Sequence, residues 1–248
     1  MLNQSITKKK NILVITDSYS PKNNSGAIMI GDFVDYAHKK YNFIIITFNP
    51  KLKLPYSIKV LENQIIIYVK TLDINNYFIR FINEFLYSYK ISKFFKQNYF
   101  FKIDFIITYS PSIFFGKCIN FLKNKYSCKS YLIQRDIFPE WAFKQGLIKS
   151  KFMYHYLKKI EKRNYDNADY IGVESFGNLE YMKKNGYKNV ELLSNWIKDN
   201  KNSTNINTKN NSFSYYIYSG NLGLAQDFFS LLKEIKLETL KNNKIKIL

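Results

Sequence analysis

Three short segments of this 248-residue sequence place polar and charged residues where a phosphorylated ligand could be held. In TDSYSPKNNSGAIM, Ser25 and Gly26 open a helix-like run. Their backbone N–H groups then lie at a helix N-terminus, which favours phosphate through the dipole and through unsatisfied donors. A serine cap with a glycine for turn geometry accounts for the same two residues, and the loop is neither a GxGxxG fingerprint nor a Walker loop. In RDIFPEWAFKQGLI, Arg135 and Asp136 set opposite charges side by side directly after a strand-like SYLIQ. Such a pair can hold a ligand at the mouth of a cleft; the plainer alternative is a helix cap by Asp136 with Arg135 in solvent. In YIYSGNLGLAQD, Gly220 and Gly223 let the backbone come close to a ligand while Asn221 and Gln226 offer neutral donors. A tight β-α turn explains these glycines equally well.

Short apolar runs alternate with amphipathic stretches along most of the chain. NILVIT, FIIITF, QIIIYV, DFIITYS, SYLIQ, DYIGVE and NVELLS read as strands, and GAIMIGDFVDYAHKK, SIFFGKCINFLKNK, KFMYHYLKKIEKRNYDNA and GNLEYMKKNG as helices. This predicts an α/β fold, a doubly wound parallel sheet with helices on both faces, over residues 1–196. Ligands in such sheets sit beyond the carboxyl ends of the strands, so the Gly26 loop and Arg135-Asp136 should share one edge. Residues 197–212 read as a polar, Asn-rich linker. Over 213–248 the pattern restarts with FSYYIYSG, one helix FFSLLKEIKLETLK and an apolar KIKIL. This is the first β-α unit of a second Rossmann-like domain, expected to be truncated because so short a segment cannot enclose a core.

With 46% hydrophobic and 18% aromatic residues the chain can bury a full core. No stretch reaches the roughly 18 to 20 apolar residues of a membrane span, and no signal peptide is expected at the N-terminus. Cys118 and Cys128 are too few for a disulfide framework and lack metal-ligand spacing, so reduced thiols and no metal are expected. A net charge of +19 points to a polyanionic partner, although a Lys-, Asn- and Ile-rich composition of the kind AT-rich coding produces raises it without function. Nucleic-acid binding has no RRM, KH, zinc-finger or helix-turn-helix signature behind it, and the basic residues are spread. The stretch from Phe78 to Lys102 combines an apolar face with a Lys/Arg face. It suits docking on an anionic leaflet, or simply covering the sheet.

In their order and spacing, RDIFPEWAFKQGLI, the opening strand with its Gly26 loop, LLSNWI and YSGNLGLAQDF resemble the family-four glycosyltransferases that build bacterial surface polysaccharides, in particular the branch that includes the L-fucosamine transferases. The resemblance spans essentially the whole chain. It implies a GT-B protein with an N-terminal acceptor-binding domain, a C-terminal nucleotide-sugar domain, no obligatory metal or other cofactor, and retention of anomeric configuration. The implied partners are a nucleotide-sugar donor, UDP-linked, a lipid-linked saccharide acceptor and the anionic inner face of the cell membrane, reached from the cytoplasm; nucleic acid is not among them. Carried over residue by residue, Ser25 and Gly26 would face the donor diphosphate, and Asp136, with Arg135 beside it, would stand near the reacting sugar where many relatives have a histidine. Gly220, Asn221, Gly223 and Gln226 would occupy a turn in which most of the wider family sets Arg and Lys on the phosphates. The paired glutamates that hold ribose and sugar in the family would lie beyond Leu248. The chain by itself is therefore expected to be inactive, with a non-catalytic remnant or scaffold as the alternative.

Overall fold

The computed structural model describes residues 9–62, 64–73, 77–98, 101–110, 112–198, 214–220 and 227–247. They fall into two compact units, Met1–Lys198 and Asp199–Leu248.

The first unit is built on eight strands: β1 (Lys10–Ile15), β2 (Tyr41–Asn49), β3 (Tyr56–Leu61), β4 (Gln64–Lys70), β5 (Phe105–Tyr109), β6 (Lys129–Gln134), β7 (Tyr170–Val173) and β8 (Val190–Leu192). Their order in the sheet is β3-β4-β2-β1-β5-β6-β7-β8, parallel throughout except for β3, which pairs antiparallel with β4. Among the described residues six helices accompany them: α1 (Ser25–Ala37), α2 (Tyr77–Gln97), α3 (Gly116–Tyr126), α4 (Glu140–Lys144), α5 (Lys151–Asp166) and α6 (Phe176–Lys184). The protein is thus a mixed α/β fold with a mostly parallel sheet.

Alternation along the strands sorts the core into two layers. In β1, Leu13 and Ile15 join Ile46 of β2 and Ile67 of β4 under Ile91 and Phe95 of α2 and Ile119 of α3. Ile12 and Val14 face the other way, where Ile45, Ile66 and Ile107 meet Ile30 and Val34 of α1. Burying such a side chain contributes about 1.5–3 kcal/mol, and a one-residue slip would turn every one of them to the wrong layer. The register is therefore set by the apolar pattern. Helix starts are fixed locally: Asn24, Ser150 and Ser175 accept from the backbone N–H three residues on, that of Ala27, Met153 and Asn178.

β3 does not stand out in the sequence as a strand. Tyr56, Ser57, Ile58, Lys59 and Val60 alternate apolar and polar, but all six of its residues are exposed, so the alternation marks no buried face and the stretch lacks the continuous apolar run of the other strands. Among the described residues no helix is long and apolar enough to cross a membrane.

The second unit pairs β9 (Ser214–Tyr216) with β10 (Ile245–Ile247) in parallel, connected through α7 (Phe228–Glu234) and α8 (Leu237–Asn242). The single helix expected over 228–241 is two, because Ile235 and Lys236 adopt extended ψ values of 116° and 117°. No residue of this unit whose burial is described is buried, so no apolar stripe holds the turns in one helix. Of the expected linker, residues 199–212 lie outside the described residues.

Candidate active site

Because the strands run parallel, the segments that follow β1, β5, β6, β7 and β8 open on one edge of the sheet. Arg135 follows β6 directly. Its guanidinium meets Glu174 at 2.9 Å, the residue directly after β7, and donates to the Asn195 side chain beyond β8. Its backbone carbonyl accepts from the Asn178 amide in α6 at 3.3 Å. One side chain thus ties together the carboxyl ends of three consecutive strands. Buried Gln134 fixes the turn by donating to the Asp136 carbonyl, while its own amide oxygen has no partner among the described residues. The Asp136 side chain is exposed, and no hydrogen bond or ion pair to its carboxylate is present among the described residues. Glu174 is held above the ordinary carboxylate range by burial, opposed by Arg135 and reinforced by Asp136.

Gly26 lies in the first turn of α1, against the end of β5. A Cβ there would stand 2.8 Å from the Tyr109 ring and hydroxyl, so any larger residue would have to displace the end of that side chain. The helix is capped by Asn24 rather than Ser25: Asn24 takes the Ala27 N–H at 2.8 Å through its side chain and the Ile28 N–H at 3.0 Å through its carbonyl. Among the described residues the N–H groups of exposed Ser25 and buried Gly26 have no hydrogen-bond partner, as the first-turn donors of a helix lack one within it. Burial pushes the Tyr109 phenol up; Arg135 opposes this, and Asp17, Asp136 and Glu174 add to it. The Gly26 turn and the Arg135-Asp136 pair therefore share one electrostatic neighbourhood, centred on Tyr109.

A further charged group reaches the same edge from α2. Arg80 and Glu84 pair at 3.0 Å across one helical turn. Glu84 is raised chiefly by burial, with Arg80 opposing, Asp17 adding, and a Ser112 hydrogen bond opposing. Asp17, Arg80, Glu84, Glu174 and Asn195 were not singled out in the sequence. The signals were present in the i,i+4 spacing of Arg80 and Glu84, the acidic residue closing DYIGVE, and the Asn inside LLSNWI. Gly220 ends the described part of its turn, where a Cβ would sit 3.0 Å from the Tyr218 hydroxyl. Asn221, Gly223 and Gln226 lie outside the described residues. Among the described residues no group of three or more His, Cys, Asp or Glu is arranged to hold a metal ion.

No protein-family model matches the chain, and no curated protein sequence does. Among solved structures it is similar to an alpha,alpha-trehalose-phosphate synthase (UDP-forming) from Burkholderia vietnamiensis, with 10% identity over 72% of this chain and 44% of that one and a TM-score of 0.48. An E. coli structure described as trehalose-6-phosphate bound with UDP-2-fluoro glucose is matched with 11% identity over 69% of this chain and 41% of that one, at a TM-score of 0.45. A Medicago truncatula protein complexed with UDP-glucose is matched with 11% identity over 71% and 48%, at 0.43. The chain spans less than half the length of each. At this level of similarity neither substrate nor reaction carries over.

Proposed function

We propose that this chain carries the acceptor-binding part of a retaining glycosyltransferase of the two-domain GT-B kind, moving a sugar from a UDP-linked donor to a lipid-linked saccharide in surface polysaccharide synthesis, at the cytoplasmic face of an anionic membrane. The observation that carries the reading is a convergence on one sheet edge: the Arg135–Glu174–Asn195 link, the unpartnered Asp136 carboxylate and the glycine-bearing start of α1.

In this reading the Ser25 and Gly26 N–H groups take oxygens of the donor diphosphate and stabilise the leaving charge with fixed dipoles. Arg135, already held by Glu174 and Asn195, needs little further ordering when a ligand arrives. Asp136, exposed beside it, orients a sugar hydroxyl and offsets positive charge developing at the anomeric carbon. That carbon exchanges its bond to phosphate for one to the acceptor hydroxyl; the electron pair leaves on the phosphate, and the acceptor proton goes with it. The test is turnover of a panel of UDP-sugars by the whole transferase on a lipid-linked saccharide, with the product anomer assigned by NMR. Retention with dependence on Asp136 supports the reading; inversion, or full turnover by Asp136→Ala, overturns it.

A further inference from the structure

A groove of about 570 Å³ lies on the outer helical face of the first unit, between α2, the start of α3, and α5. That volume is in the roughly 300–1,000 Å³ range of small-molecule sites. Its walls follow helical rows: Phe85 and Tyr89 on α2 are one turn apart, as are Tyr156 and Ile160 on α5, and Ile113 and Phe114 close the end. The floor exists because α3 and α5 nearly touch. A Cβ at Gly116 would stand 2.8 Å from the Arg163 carbonyl, so only glycine allows the crossing. Phe85 and Tyr89 are 47% and 62% exposed, an apolar surface left open.

Three cations rim this surface, Lys117, Lys159 and Arg163, all exposed, and among the described residues no acidic side chain lines it. Among the described residues none of the three has an ion pair. Their α5 neighbours do: Lys158 pairs with Glu161 and Lys162 with Asp166. Of the α5 lysines and arginine without an ion pair among the described residues, Lys159 and Arg163 line the groove, and Lys151, at the helix start, does not.

We infer that this groove is a site for a single-chain anionic amphiphile, its hydrocarbon chain lying between α2 and α5 and a phosphate-class head group on Lys117, Lys159 and Arg163. An apolar trough with unpaired cations at its lip fits neither a neutral ligand, which leaves the cations unused, nor a free anion, which leaves the trough empty. The occupant's biological identity rests on the lipid-linked acceptor proposed above; the chemistry of the groove does not. The groove is separate from the sheet-edge residues, none of which lines it.

The experiment is calorimetric titration of the 248-residue chain with dodecyl phosphate below its micellar concentration, with dodecyl maltoside and inorganic phosphate as controls. Dodecyl phosphate should bind saturably, dodecyl maltoside at least about tenfold more weakly, and inorganic phosphate without saturation. Ser92→Trp, which fills the groove, and Lys117→Glu with Lys159→Glu, which reverses its lip, should each weaken dodecyl phosphate by at least about tenfold with circular dichroism unchanged. Should either variant misfold, a diazirine-bearing alkyl phosphate on the unaltered chain decides: crosslinks within 85–92 and 156–163 support the site. Equal affinity for both head groups, unaltered affinity in folded variants, crosslinks elsewhere, or binding to phosphatidylglycerol vesicles without binding of the monomer overturn it. These readouts do not involve transfer, so sugar transfer to a chain-free saccharide without amphiphile binding would sink the groove alone, and the converse would sink the transferase reading alone.

Discussion

Arg135 was legible as a candidate because its neighbour Asp136 sits beside it in the sequence; its actual partners were not, because Asn195 is 60 positions away and Glu174 follows a different strand. Local spacing reports what one turn or strand end offers, and the sheet decides which ends meet. The same holds for Gly26, whose close neighbour Tyr109 is far along the chain. Asp136 is exposed and unpartnered among the described residues, so Asp136→Ala should leave the thermal midpoint unchanged while lowering kcat of the whole transferase by about a hundredfold or more. Unaltered kcat in a folded variant would remove it from the chemistry. Glu174 gives a second expectation at this scale. Its folded pKa is raised above the ordinary 4.5, chiefly by burial, so the folded state holds that proton more tightly than the unfolded chain. The resulting stabilisation is complete below 4.5 and is lost as pH rises through the folded value. Glu174→Gln, which cannot titrate, should make the slope of stability against pH more positive just above 4.5. Urea unfolding of both proteins across that interval measures it.

The parallel strands were readable because burial on both faces leaves near-continuous Ile, Val and Phe runs, as in FIIITF within β2. β3 lacked that mark because none of its residues is buried. The stretch from Phe78 to Lys102 allowed two readings in sequence, and α2 shows the origin of both: Tyr87, Ile91, Phe94 and Phe95 pack on the sheet while Phe85 and Tyr89 remain outward. α5 carries a feature that composition hides. Glu161 is 1% exposed, accepts from the Tyr165 hydroxyl at 2.9 Å and pairs with Lys158. Its removal leaves a buried phenol without its partner, whereas Lys158, 28% exposed, can turn to water. Glu161→Ala should therefore cost about 1–3 kcal/mol, less than the loss of a fully enclosed ion pair. A shift of the urea midpoint at constant m-value is the measurement; no shift would mean that Tyr165 finds another acceptor.

The two units differ in how they are held together. The first has layered cores on both faces of its sheet, whereas no residue of the second with described burial is buried. Limited proteolysis should therefore cut within 199–248 well before 9–198. A chain ending at Lys198 should keep the melting temperature of the first unit to within about 2 °C. First cuts inside the layered sheet would contradict this. The placement of β3 bears on time rather than stability. Among the described strands of the first unit, β3 with β4 is the one antiparallel pair, joined across two residues from Leu61 to Gln64, while each parallel pair waits for an intervening crossover. Hairpins close in about 1–10 μs, and pairings distant along the chain come later. The strand that adds least to the finished core is then the earliest able to pair, and by occupying one side of β4 it leaves only the other side for β2. Assembly can proceed from this rim inward to β1, so a strand that looks dispensable in the completed molecule restricts the wrong pairings open to the unfinished one.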